Sequence, residues 1–334
     1  MTKQLEEPKS VTSTEANKTG EAVRRRPKEN LGPGLPSISQ LVSYRKPDGL
    51  ILSTGNLYFT YHDAATASVW RASQSAVPGQ EILLYSEPGA RFGDIVFAQV
   101  DGAFWGYFFS STGSATTIKR VSLTGGAATV LATVTDVDVA NSHRNLVTDG
   151  VNLYWQDAQS VRKMPIRGGA VTVLDQASPN TPTAGLALQN GNVVYASVNA
   201  IRHVPVGGAT TPPSARTIFT ASERVTALHA VLSFIYWGEE NGAIRVVTTS
   251  GSAAETISTI PGFIPTSIAT SVHGGVYAQA WTQCDANSCR LHFDIPSGED
   301  SLYVIDRDVV GVSVTSSGNV FWGDAAGVHR HIPH

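Results

Sequence analysis

The sequence is poor in charged residues and in long apolar runs. Only 15% of its 334 residues are charged and the formal net charge is −3, so it has no positive field that would attract nucleic acid or an anionic membrane. It has no run of about 18 apolar residues, so we expect no membrane span. The first residues, MTKQLEEPKS, lack the apolar stretch of a secretory signal. With Met1 as the start, we expect a cytoplasmic protein.

Cysteine is also scarce, with Cys284 and Cys289 as its only two occurrences. Their spacing permits a hairpin disulfide, which would imply an oxidising compartment and leaves an extracellular location open. Two reduced thiols in a cytoplasmic loop are the alternative. A four-ligand zinc site is not expected from two cysteines. We predict neither a metal nor another cofactor.

Local catalytic signatures are absent as well. The sequence contains no Gly-x-Ser-x-Gly, no phosphate-binding Gly-x-x-x-x-Gly-Lys and no dinucleotide fingerprint. This argues against serine hydrolases of the common folds and against nucleotide enzymes. It does not argue against an enzyme whose catalytic groups come from distant parts of the chain.

Glycine and apolar residues are plentiful instead. With 31 glycines, 17 prolines and 42% hydrophobic residues, the composition is typical of a turn-rich all-β protein. The first 34 residues are polar and charged and cannot bury enough apolar surface to offset the entropy of ordering. We therefore predict a disordered polar tail at 1–34 and a single domain at 35–334.

A unit of 41 to 50 residues recurs along this domain. Its clearest copy, Arg144 to Leu174, contains apolar runs separated by the turns Asp149-Gly150 and Gly168-Gly169. Such turns join antiparallel strands, so one copy is a four-strand meander. The aromatic residue after the first turn appears seven times, as Tyr58, Phe104, Tyr154, Tyr195, Tyr236, Tyr277 and Phe321.

Seven such units predict a closed ring. A four-stranded unit of this length cannot cover both of its faces alone, and radial stacking around a channel covers them. The last copy stops after its third strand, whereas Ser37 to Tyr44 precede the first copy without a partner. We therefore predict an all-β, seven-bladed β-propeller of four-stranded antiparallel blades, closed by an N-terminal strand that joins the last blade.

The motifs Tyr154-Trp155-Gln156-Asp157, Tyr236-Trp237-Gly238-Glu239 and Phe321-Trp322-Gly323-Asp324 resemble the Tyr-Trp-Thr-Asp repeats of low-density-lipoprotein-receptor-type propellers. The stretch Lys163 to Gly169 is similar to bacterial repeat proteins related to virginiamycin B lyase. The resemblance covers 37–334 as a pattern and implies the propeller fold. The copies at Tyr58, Tyr195 and Tyr277 keep the aromatic but are interpreted as lacking the acid.

The candidate site follows from the fold. The connections from strand four to the next strand one, and those between strands two and three, meet at one face around the channel mouth. We predict that arginines just before strand one bind a carboxylate or phosphate there. The predicted ligand-binding residues are Arg91, His143, Arg144, Glu223, Arg224, Arg307, Tyr107 and Trp281; the last two are placed in strand-two-to-three loops.

Two alternatives are structural. Each arginine can instead pair with a nearby acid and tie adjacent blades together. The recurring acids Asp157, Glu239 and Asp324 can accept hydrogen bonds from the next blade's backbone or arginine.

Three functions remain open. The preferred one is a binding module that recognises a peptide, protein or glycan at the loop face around the channel. The second is a lyase or hydrolase acting on a small or peptide-derived substrate at the channel mouth, and the third is a scaffold. Unusually long strand-two-to-three loops in blades one, two and six favour the first two. We expect no nucleic-acid partner and a monomer.

Overall fold

The computed structural model describes residues 28–29, 38–43, 47–53, 55–113, 115–135, 137, 139, 145–176, 184–207, 215–251, 253–273, 276–294, 300–306, 309–315 and 317–332. Two strands precede the first blade: β1 (Lys28–Glu29) and β2 (Ile38–Ser43). Blade one consists of β3 (Pro47–Ser53), β4 (Asn56–His62), β5 (Thr66–Ser73) and β6 (Ile82–Pro88). Blade two consists of β7 (Arg91–Val100), β8 (Ala103–Thr112), β9 (Ala115–Ser122) and β10 (Thr129–Val134).

Blade three consists of β11 (Leu146–Thr148), β12 (Asn152–Gln156), β13 (Val161–Pro165) and β14 (Thr172–Asp175). Blade four consists of β15 (Leu186–Gln189), β16 (Asn192–Ser197), β17 (Ala200–Pro205) and β18 (Arg216–Thr220). Blade five consists of β19 (Val225–Val231), β20 (Phe234–Glu239), β21 (Ala243–Thr248) and β22 (Glu255–Thr259). Blade six consists of β23 (Ile264–His273), β24 (Val276–Cys284), β25 (Ser288–Asp294) and β26 (Asp300–Asp306). Blade seven consists of β27 (Val310–Val314), β28 (Val320–Asp324), β29 (Gly327–His331) and β2.

The predicted seven-bladed ring is confirmed, and so is its closure. The N-terminal strand β2 pairs antiparallel with β29 as the outermost strand of blade seven. Its side chains Leu41 and Val42 are fully buried in one cluster with Phe59 of blade one and Phe321 of blade seven. Upstream, β1 pairs parallel with β26 as a fifth strand of blade six. The remainder of the predicted tail lies outside the described residues, so its disorder stays a prediction.

The core lies between the blades. Each strand two carries a large apolar side chain that sits opposite the innermost strand, for example Trp155 opposite Leu146 and Trp237 opposite Leu228. Both tryptophans are fully buried. Phe104, the predicted anchor of blade two, is instead 44% exposed, and Phe108 occupies the buried position opposite Ile95. Strand two of blade two continues to Thr112, and its buried residues lie further along the strand than Phe104.

A cation on strand three connects neighbouring blades. Arg71 Nη1 of blade one donates to the Leu123 carbonyl of blade two, and Lys163 Nζ of blade three donates to the Val206 carbonyl of blade four at 2.8 Å. In both pairs the accepting carbonyl lies just after strand three of the next blade. Arg330 of blade seven makes the equivalent contact with the Gln74 carbonyl of blade one. We call this contact the latch. It is also made between blades seven and one, where the ring closes.

Glycine is required where two blades approach closely. A Cβ added to Gly238 would lie 2.2 Å from Pro265 Cβ of blade six. A Cβ added to Gly207 would meet nothing within 4 Å, and the backbone at this residue has no positive φ. The two positions therefore separate the steric cost of a methyl group from the entropic effect of losing a glycine.

We predict that Gly238→Ala destabilises the protein by about 3 kcal/mol, since the methyl group overlaps Pro265 in a packed interface. The matched variant Gly207→Ala should change the free energy of unfolding by less than about 1 kcal/mol, with either sign. Chemical denaturation of both variants measures this. Equal stability of the two variants would show that blades five and six are not in contact at Gly238.

Candidate functional site

The innermost strands carry a bulge near the loop face, the face at which strands two and three are joined. The ladder between strands one and two skips residues in blades one, two, five, six and seven. The skipped residues are Asp48, Gly93 with Asp94, Thr226, Thr266 and Gly311. A bulge turns side chains away from the regular alternation of a strand. It therefore places Asp48 at the channel mouth.

Asp48, His62 and Arg91 form one cluster at this mouth, between blades one and two. Asp48 Oδ2 lies 2.5 Å from His62 Nδ1, and Asp48 Oδ1 lies 3.8 Å from Arg91 Nη2. The side chains are 12%, 34% and 42% exposed in that order. A carboxylate at Nδ1 favours the tautomer that carries its proton there, which leaves the lone pair of a neutral imidazole on Nε2. The cluster therefore offers a guanidinium donor beside an imidazole acceptor.

The channel itself is narrow. Small side chains and backbone line it at Gly49, Ala184, Ala227, Ser267 and Gly311, and the space left among them holds about one water molecule. Asp94 also lines it, and its Oδ2 accepts a hydrogen bond of 2.9 Å from the Asn145 backbone of blade three. At the level of these described residues the channel is too narrow for a substrate.

Glu223 and Arg224 lie in the connection from β18 to β19. Both are exposed, and the described part of the chain gives neither side chain an ion pair. Arg91, by contrast, does approach the acid Asp48 of the neighbouring blade. His143, Arg144 and Arg307 lie outside the described residues, so their proposed role stays a prediction.

Tyr107 and Trp281 do not lie on loops. Tyr107 is fully buried within β8, in the cluster between blades two and three, and Trp281 is 5% exposed within β24, between blades five and six. The loop placement was wrong because the extra residues of these blades lengthen strands two and three rather than the loop. The long loops predicted for blades one, two and six are thus extended hairpins.

The recurring acids accept hydrogen bonds from residues of their own hairpins, whereas the structural alternative had placed the donors on the next blade. Asp157 Oδ1 accepts hydrogen bonds of 2.8 and 2.7 Å from the backbone of Gln159 and Ser160, and its Oδ2 lies 2.5 Å from Arg162 Nε. Asp324 repeats this arrangement with Ala326, Gly327 and His329. Glu239 approaches Arg245 at 2.9 Å. Asp157 and Asp324 therefore cap a hairpin turn, whereas the Glu239 carboxylate accepts hydrogen bonds from Ser222 Oγ and Trp237 Nε1. All three acids hold the first basic residue of strand three.

Blades one and six possess this acid too, contrary to the prediction that they lack it. Asp63 accepts the backbone N–H groups of Ala65 and Thr66, and Asp285 accepts those of Asn287 and Ser288. These backbone hydrogen bonds lower the pKa of both carboxyl groups. The signal that would have found them is an Asp-Ala pair, shared by Asp63, Asp157, Asp285 and Asp324 and their next residues.

The two cysteines form a disulfide across the hairpin of blade six. They pair directly in the β24–β25 ladder. Alignment on the Asp-Ala pair places them where blade three has Gln156 and Val161. Arg290, the counterpart of Arg162, stacks over the Phe263 ring at 4.1 Å. Among the described residues no group of three or more metal-ligating side chains occurs, and no helix is long and apolar enough to cross a membrane.

Comparison with known proteins supports the fold. The sequence matches no protein-family model and no curated protein. Among solved structures, a streptogramin B lyase superposes with a TM-score of 0.63 at 15% identity, over 88% of this chain and 96% of that one. The WD40 β-propeller domain of Doa1 gives 0.59 at 12% identity, over 86% and 92%. U3-55K gives 0.59 at 15% identity, over 90% and 100%.

These identities establish a β-propeller and no activity. The predicted likeness to lyase-type bacterial propellers is confirmed at the level of the fold. The likeness to low-density-lipoprotein-receptor-type repeats stays a prediction.

One buried imidazole near Trp281 makes stability depend on pH. His292 is 1% exposed and stacks on the Trp281 ring at 5.2 Å, and neither ring nitrogen has a hydrogen-bond partner. Burial, aided by the positive charge of Arg290, lowers the pKa of His292 to about 3. The folded state therefore binds this proton less readily than the unfolded chain, whose histidine has a pKa of about 6.5.

We predict that His292 does not reduce the stability of the fold above about pH 6.5. Below that pH, the unfolded chain binds a proton that the folded state does not, so the free energy of unfolding should fall progressively until the pH reaches about 3. The loss should reach about 2 kcal/mol between pH 7 and pH 5. His292→Phe keeps the stack on Trp281 and should remove that loss. Denaturant unfolding of both proteins across this range measures it, and an unchanged pH slope in the variant would contradict the assignment.

Proposed function

We propose that this propeller is a binding protein that takes a peptide, protein or glycan on its loop face. The observation that carries the proposal is that the half-buried Arg91 and the exposed Arg224 both lie on the loop face, whose channel, at the level of its described lining residues, has room for about one water molecule. A surface of this kind recognises a ligand from outside. An acidic group of the ligand binds at the cluster of Asp48, His62 and Arg91.

Arg91 retains donors for such a group. Its Nη2 lies 3.8 Å from Asp48 Oδ1, which is longer than a hydrogen bond. A guanidinium binds a carboxylate or phosphate through two parallel hydrogen bonds. Asp48 already lies close to His62 Nδ1, so it neutralises Arg91 only in part. The predicted residues His143, Arg144 and Arg307 belong to the same face in this proposal.

The extended hairpins of blades one and six enlarge this face. In blades one and six, the capping acids Asp63 and Asp285 follow two residues after the residue pair of strands one and two that adjoins the bulge on its loop-face side. In blade five, Glu239 belongs to that residue pair itself. Two further residues add about 7 Å of strand. Unequal hairpins give a ligand a wall to contact, which a regular ring would not provide.

An enzyme is the second candidate, and His62 favours it. A carboxylate that fixes the imidazole tautomer and leaves Nε2 as a base is the arrangement found in general acid–base catalysis. The streptogramin B lyase, by its name, is an enzyme on the same fold. On this alternative His62 accepts a proton from the bound ligand while Arg91 holds its anionic group.

We predict that Arg91→Ala combined with Arg224→Ala abolishes binding to arrays of acidic peptides and acidic glycans, because both guanidinium donors are lost. Surface plasmon resonance with the best array ligand gives the affinity, which should fall at least 100-fold. Arg216→Ala removes an exposed arginine from the outermost strand of blade four and is the matched control. Normal affinity in the double variant would refute the proposed site.

The same ligand separates binding from catalysis. His62→Gln should leave affinity within about threefold of the unaltered protein if the site only binds. If the protein converts the ligand to a product, as followed by mass spectrometry, His62→Gln should stop that conversion. An unconverted ligand after prolonged incubation would exclude the enzyme candidate for that ligand.

A further inference from the structure

The junction between blades two and three departs from the latch seen elsewhere. On strand three of blade two, Arg120 occupies the position that Arg71, Lys163 and Arg330 occupy in blades one, three and seven. Those three each donate to a carbonyl of the following blade. Arg120 makes no such contact in the described part of blade three. Its guanidinium carbon lies 4.7 Å above the centre of the Trp105 ring, and its buried Nε has no hydrogen-bond partner among the described residues.

A second buried donor lies beside it. Tyr107 pairs with Arg120 across the β8–β9 ladder and is fully buried, yet no described residue accepts a hydrogen bond from its hydroxyl. Buried polar groups are normally paired, and an exception points to a missing group. Burial raises the pKa of the phenol, while the positive charge of Arg120, a hydrogen bond from Arg120 to the phenol oxygen and the positive charge of Arg167 oppose that rise. Both arginines therefore act on the same hydroxyl.

The outer rim of this junction is an ion pair. Arg167 of blade three donates two hydrogen bonds of 2.6 Å to Asp101 of blade two. Both side chains are exposed, so the rim is open to solvent. Asp101 and Arg167 lie in the turns between strands one and two and between strands three and four. The junction is thus on the turn face, opposite the loop face, and it carries two guanidinium groups and one carboxylate.

We propose that this junction, which we call the Arg120 site, binds a small oxyanion, either a carboxylate or a phosphate. One oxygen accepts hydrogen bonds from Tyr107 Oη and Arg120 Nε, and the Trp105 ring holds the guanidinium in place. The Arg167–Asp101 pair forms the entrance. An anion supplies the acceptor that both buried donors lack and balances the excess positive charge. The site is independent of the ligand proposed for the loop face.

Tyr107→Phe separates this proposal from a structural role. It removes only the hydroxyl, so binding should weaken at least fivefold while the melting temperature without anion stays equal or rises. Tyr154→Phe is the matched control, because the Tyr154 hydroxyl donates to Asp149 at 2.7 Å. That control should lower the melting temperature. A Tyr107→Phe variant that loses stability like the control would overturn the proposal.

Binding is measured by calorimetry with inorganic phosphate and, separately, with succinate. Saturable binding of either probe that is lost in Arg120→Met and retained in Arg71→Met supports the site. Which of the two probes binds shows whether the site takes phosphate or a carboxylate. Methionine keeps apolar contact with Trp105 and removes the charge. Failure of both probes to bind, or equal binding in Arg120→Met, overturns the proposal. Loss of loop-face binding in the Arg91 and Arg224 variants would not affect this result.

Discussion

Each blade has two apolar faces and can cover them only with its neighbours, and the rest of the structure follows from that constraint. The side chains of strand two, such as Trp155 and Trp237, are buried between sheets rather than within one. A ring in which every sheet supports the next has no uncovered end. The latch cations and the acid-capped hairpins recur for the same reason, because each blade must meet the next in the same orientation.

The repeat was readable from the sequence because turn dipeptides and aromatic residues keep their spacing. Asp149-Gly150 and Asn190-Gly191 mark turns in which Gly150 and Gly191 have positive φ, as tight hairpins require. Hairpin length was not readable. The alternating pattern continues through β8 and β24 without marking where the turn falls, so Tyr107 and Trp281 were placed on loops although both are buried.

The candidate site was predictable in its location but not in its members. The prediction that the loop face gathers charged groups agrees with Asp48, Arg91 and Arg224, whereas His62 was not among the predicted ligand-binding residues. Its role depends on a bulge that turns Asp48 toward it, and a bulge leaves no reliable mark in a single sequence. The Arg120 site was hidden for another reason: it is visible only as a departure from a contact that blades one, three and seven make.

The closing strand β2 also determines how the ring can assemble. Gln40 of β2 donates to the Ala326 carbonyl, 286 residues further along the chain. Two segments so far apart meet at a high entropic cost, and folds dominated by such distant pairings form slowly. Blade seven is therefore left one strand short until β2 arrives, with the edge of β29 open to other chains. Newly made protein would then depend on rapid capture of β2 to escape edge-to-edge aggregation.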